Sequence, residues 1–206
     1  MKETNKQIDR IKRKIKIAIK EDILKYKNFL KFISESRVFI FIVLSFFVFS
    51  MIVGFIYPEM CQDFLLKLIK EILEKTQDLN FPQLLSFIIY NNLKTSLLGI
   101  LLGLFFGIFP IFLAALNGYL LGFVFSEIYK DNKISEAWRI LPHGIFELPA
   151  FLLSLGLGLM LGYTLFFKSH RFRYNFLMTL KIFIYIILPL LLIAGIIETS
   201  LIFLLK

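Results

Sequence analysis

The sequence predicts an all-α, polytopic transmembrane bundle of about five spans. Three observations carry that reading. Hydrophobic residues fill 58% of the 206 positions, against roughly 45–50% in soluble domains. Long uncharged stretches recur, the longest from Thr95 to Ser126, and such runs mark helices that cross a bilayer. Positive charge is concentrated at residues 1–37 and again at 168–181, as expected of segments retained on the cytoplasmic side.

Residues 1–36 are expected to form a basic cytoplasmic helix, and residues 37–206 the transmembrane bundle. Ile8, Ile11, Ile15, Ile19, Ile23, Tyr26, Leu30 and Ile33 recur at three- and four-residue spacing, opposite a lysine-rich face. That pattern describes an amphipathic helix, suited to an anionic lipid surface or to a partner helix. The net charge of +9 brings no nucleic-acid recognition motif with it, so no nucleic-acid partner is expected. Lone Cys61 excludes an internal disulfide. No cleavable signal peptide is expected, because the first apolar run follows a long polar lead.

The first span reads as 38–57, behind Arg37 and ahead of Pro58. Residues 61–75 then place Cys61, Phe64, Leu65, Leu68, Ile69, Ile72 and Leu73 on one face, opposite alternating charges. This is an interfacial helix. Thr95–Ser126 as a single helix would run about 48 Å, against a hydrocarbon core of about 30 Å. Two helices are therefore expected, spans 86–107 and 110–129, with a tight turn at Gly107-Ile108-Phe109-Pro110. The fourth and fifth spans read as 144–167 and 182–204. Five crossings return the wholly basic loop holding Lys168, His170, Arg171, Arg173 and Lys181 to the side of the N-terminus, as the positive-inside tendency asks. A cell-membrane protein with a cytoplasmic N-terminus follows. Pro189 removes a helix donor and predicts a kink in the fifth span.

Glycine is concentrated in the middle spans. Gly99, Gly103 and Gly107, then Gly118 and Gly122, then Gly158 and Gly162 form small-xxx-small pairs that let helix backbones approach closely. They serve packing within one chain or a homo-oligomer interface. A second reading of the Gly-Pro stretches 107–110 and 142–149 is that they break or gate a helix.

The polar residues carry the functional question. His143 and Glu147 lie four apart, so on a helix they share a face. Glu147 falls inside a span, where an ionisable group is expensive and marks a functional candidate unless it only pins the helix start. With the expected topology, Asn91, Asn92, Lys94, Glu127, His143, Glu147 and Glu198 all fall in the outer leaflet. A hydrogen-bonded packing core, a docking site and an ion-coupled path can each use such a cluster. Few histidines and no HExxH spacing argue against a metal centre, and no cofactor is expected. No nucleophile elbow or phosphate-cradling loop occurs, so no catalytic residue is assigned.

Asn91-Asn92 leading into the Gly99/Gly103/Gly107 span, then Asn117-Gly118, Pro142-His143-Gly144 with Glu147 and Ala150, and the Gly156/Gly158/Gly162 run resemble the stage II sporulation protein M family. The resemblance covers about residues 85–165. It implies a multi-pass membrane protein whose signature is Asn91, Asn92, Pro142, His143, Gly144 and Glu147. The family's namesake works in a membrane complex whose partners degrade cell wall during engulfment, and it anchors or recruits them. The family also occurs in organisms that neither sporulate nor have peptidoglycan. The leading expectation is therefore a non-enzymatic membrane scaffold or complex subunit, with the lipid bilayer and other membrane proteins or further copies as partners. The alternative is a small transporter or lipid-handling protein that uses Glu147 and His143 in an outward-facing cavity.

Overall fold

Helical stretches of apolar residues, separated by proline, glycine or charge, determine the architecture. The computed structural model describes residues 24–105, 107–130 and 141–204, with residues 141–143 described for their backbone alone. The chain divides into two units, Met1–Arg37 and Val38–Lys206. In the first, residues 24–35 form helix α1. Within it the Tyr26 and Phe29 rings meet edge to face at 6.0 Å, and the Ser36 hydroxyl donates to the Phe32 carbonyl at 2.8 Å. The remainder of the expected N-terminal amphipathic helix lies outside the described residues.

Among the described residues, five helical segments are long and apolar enough to cross a membrane. The first, α2 (Arg37–Ile56), spans 20 residues, about 30 Å at the helical rise. Pro58 then opens a tight 3-10 turn, Pro58–Cys61. The Tyr119 hydroxyl clips this corner to the third span by donating to the Tyr57 carbonyl at 2.7 Å. Helix α3 (Gln62–Thr76) follows. Among its apolar residues Leu65 is buried, while Phe64, Leu66, Ile72 and Leu73 are exposed.

The second span, α4, runs from Phe81 to Leu102, five residues earlier than the sequence pattern suggests. The cause is a capping box. The Asn80 side chain accepts from the Gln83 N–H, and the Gln83 side chain accepts from the Asn80 N–H, each at 3.1 Å. Reciprocal capping with Pro82 in the first turn starts the helix there. The early start moves the following corner to residues 103–107. Gly107 turns it with φ at 71°, a value a side chain resists. Pro110 lies in the first turn of α5 (Ile108–Lys130) instead of in the corner, where its missing N–H is of little consequence.

The fourth span, α6, runs from Leu141 to Phe167 with Pro149 inside it. It is the hub of the bundle. The buried share of its apolar stretch is 67%, against 17–28% in the other four spans, and it packs on α4, α5 and the last span.

The expected basic loop is a helix. Lys168 is the single turn residue after α6, and α7 (Ser169–Ile182) begins directly behind it. No glycine or proline lies between Ser169 and Leu188 to stop the helix. Asn175, Met178, Thr179 and Ile182 are buried at the spacing of one helix face. A π-helical turn, Phe183–Ile187, joins α7 to α8 (Leu188–Leu204). There the Leu188 N–H bonds the Phe183 carbonyl. Pro189 follows at once and offers no N–H to Tyr185, so the irregularity sits where the backbone lacks a donor.

Backbone contacts at glycine hold the spans together. A Cβ on Gly103 would strike the backbone of Gly158, one on Gly158 the carbonyl of Gly99, and one on Gly162 the carbonyl of Gly103. Gly118 and Gly122 on α5 sit equally close to the carbonyls of Phe47 and Met51 on α2. All these small-residue pairs therefore pack within the chain. Gly158→Val is expected to lower the thermal unfolding midpoint sharply or prevent recovery of folded protein. Overpacking costs about 1–3 kcal/mol even where side chains can yield, and here the obstacle is backbone. Gly144→Ala, whose added methyl would meet, among the described residues, only Leu148 Cδ1 at 3.8 Å, should leave stability unchanged or raise it by up to about 1 kcal/mol. Equal midpoints for the two variants would contradict this packing.

Candidate functional site

Helices α4 and α6 each carry a stripe that changes character along its length. On α4 the positions are Asn92, Ser96, Gly99 and Gly103, and on α6 they are Glu147, Phe151, Ser154, Gly158 and Gly162. Steps of three and four keep each series on one helix face. At the glycine end the two backbones touch. Toward the other end the residues are longer and polar, and the helices enclose space.

That space is a cavity of about 620 Å³ lined from all five spans, Phe47 of α2 and Leu191 of α8 included. Asn91, Asn92, Gly144 and Glu147, four of the six signature residues, line it. The side chains of Pro142 and His143 lie outside those described, so the shared face expected for His143 and Glu147 is likewise outside. Among the described residues nothing packs tightly against Gly144, which lines the cavity without a side chain.

The polar groups in the lining are incompletely paired. The Asn92 side chain faces the Glu147 carboxylate, yet its Nδ2 is buried without a partner at full hydrogen-bond geometry. Ser96 is 1% exposed, and its hydroxyl is also unpartnered. Asn117 donates through Nδ2 to the Leu113 carbonyl at 2.8 Å, which leaves its Oδ1 free to accept. The Thr95 hydroxyl donates to the Asn91 carbonyl at 2.9 Å. Pro149 has no N–H to give to the Ile145 carbonyl one turn earlier, and both residues line the cavity.

The expected supporting residues separate. Glu198 is near enough to Glu147 for their charges to interact. Lys94 is exposed and absent from the cavity lining, because two residues along a helix turn its side chain about 200° away from Asn92. Glu127 is held at the end of α5 by Lys130 at 3.0 Å. The earlier start of α4 also places Asn91 and Asn92 at the middle of their helix. No three metal-ligating side chains converge among the described residues. Ser96 is a site residue that the sequence reading did not single out, whereas Asn117 entered it through the Asn117-Gly118 pair. The signal for Ser96 is its place one turn from Asn92 on the stripe that ends in Gly99 and Gly103.

Comparison with known proteins follows the same geography. An uncharacterised protein of Methanocaldococcus jannaschii is 35% identical over 121 residues, which cover 55% of this chain and 53% of that protein. The chain thus spans about half the length of this curated relative. No solved structure matches it. The model of the family described as stage II sporulation protein M matches residues 41–201, well beyond the 85–165 stretch that carries the resemblance by eye. This match includes the first span, the glycine contacts, the cavity and most of the last helix, and by it the chain belongs to the stage II sporulation protein M family.

Proposed function

We propose that this membrane protein holds a small polar ligand inside the bilayer, as a non-enzymatic carrier or lipid-handling protein with Glu147 in its binding cavity. One observation carries this reading. Asn91, Asn92, Ser96, Asn117 and Glu147, polar residues drawn from three spans, line one cavity of about 620 Å³. The volume falls within the roughly 300–1,000 Å³ of small-molecule sites, and the lining matches their chemistry, mostly apolar with a few convergent polar groups.

A second reading, a subunit that anchors other membrane proteins, draws support from α3. Its Phe64, Leu66, Ile72 and Leu73 are exposed on a helix outside the five spans. The two readings differ in whether the cavity is wet. With Cys61 replaced by Ala, Ser96→Cys should react with a neutral, water-soluble methanethiosulfonate reagent, and Gly144→Leu should slow that reaction at least several-fold by filling the cavity. A protected Ser96→Cys would leave the anchoring role as the better account.

Orientation belongs to the same proposal. The basic residues of α7 carry no acid among them, which favours the cytoplasmic side of the cell membrane for the α6–α7 turn and for the N-terminus. In Cys61→Ala protein, exposed Ser169 changed to Cys should be labelled by an impermeant reagent only after the cells are opened. Labelling of intact cells would reverse the topology.

A further inference from the structure

The charge and hydrogen-bonding character of the cavity narrow its ligand. Among the described residues Glu147 is the one charged side chain in the lining, and Glu198 adds a second carboxylate near enough for the two charges to interact. Among the described residues no Lys or Arg lines the cavity, and Lys94 is exposed and outside it. A carboxylate in a membrane interior is expensive without a counter-charge. The neutral groups reinforce the polarity. Asn117 gives one N–H and Thr95 its hydroxyl hydrogen to backbone carbonyls, and each keeps an oxygen that can accept. The Ile145 carbonyl has lost its usual donor to Pro149. Three aromatic rings, Phe47, Phe125 and Phe151, complete the lining, and aromatic faces attract desolvated cations.

We propose that the cavity takes an organic cation, an ammonium or guanidinium group on a small apolar body, with Glu147 as its counter-ion. Asn117, Thr95 and the Ile145 carbonyl would accept its N–H bonds, and the aromatic rings would cover its apolar part. The unpartnered Ser96 hydroxyl would hydrogen-bond to a polar atom on the ligand. This inference rests on the ligand-holding reading above and assigns the ligand's charge class.

Three methanethiosulfonate reagents that differ in charge test it on Ser96→Cys, Cys61→Ala protein in lipid nanodiscs. Relative to their rates with a free thiol, the trimethylammonium reagent should react roughly tenfold or more faster than the sulfonate reagent, as a nearby unscreened carboxylate requires. Glu147→Gln combined with Glu198→Gln should bring that ratio back to the free-thiol value. Tetraethylammonium chloride should slow labelling while sodium ethanesulfonate does not, and this arm needs no change to either carboxylate. A cation-to-anion ratio equal to that of a free thiol, with the neutral hydroxyethyl reagent still reacting, would overturn the charge assignment and leave the wet cavity standing. Failure of the neutral reagent as well would overturn both.

Discussion

The structure depends on the backbone contact between α4 and α6. Within a bilayer, lipid tails are as apolar as leucine, so burial of apolar surface does not drive helices together. Close packing and weak Cα–H···O bonds must do so, and these need residues small enough for main chains to meet. Gly99 and Gly103 on one helix, with Gly158 and Gly162 on the other, provide that meeting. The same faces continue into Asn92 and Ser96 on α4 and into Phe151 and Glu147 on α6. One pair of helices is thus locked at one end and holds open a polar cavity at the other.

The remaining helices support this pair. Gly118 and Gly122 lay α5 against α2, and that contact brings Asn117 and Phe47 into the cavity wall. The Tyr119 hydroxyl, one residue after Gly118, ties the end of α2 to α5. The last helix closes the cavity through Leu191, two residues beyond Pro189, and carries Glu198 near enough to Glu147 for their charges to interact. The π-helical turn before Pro189 is a local defect with an identifiable cause in the missing donor. Such turns are often found at functional sites.

Much of this was legible in the sequence. Five apolar runs, the interfacial helix and the small-residue pairs follow from composition and periodicity, because a bilayer leaves few alternatives to helices for a spanning chain. Helix ends were less legible. A proline was visible at residue 82, but the start of α4 depends on a reciprocal pair of side-chain bonds between Asn80 and Gln83. Displacing that start by five residues goes with a corner that ends at Gly107 and with Asn91 and Asn92 at the middle of their helix. The basic segment 168–181 read as a loop from its charge, yet charge does not break a helix and no breaker was present. In the site, Glu147 announced itself as an acid within a span. Lys94 and Glu127 shared its apparent depth but not its direction, and direction is set by helix phase and local ion pairs, which a list of polar residues does not contain. Ser96 was invisible for the opposite reason: a small hydroxyl is ordinary in a transmembrane helix until its neighbours fail to bond it.

Membership in the stage II sporulation protein M family gives this arrangement a wider setting without fixing its chemistry, since the archaeal relative is itself uncharacterised. If the cavity holds a ligand as proposed, the residues joining Asn92 to Glu147 across α4 and α6 border water within the bundle. The most direct measurement is the accessibility of a nitroxide spin label at Val124, a cavity residue on α5, to a water-soluble nickel complex and to oxygen. Strong relaxation by the nickel complex is the predicted result. Relaxation by oxygen alone would mean that lipid or packed protein fills this space, and would contradict the account.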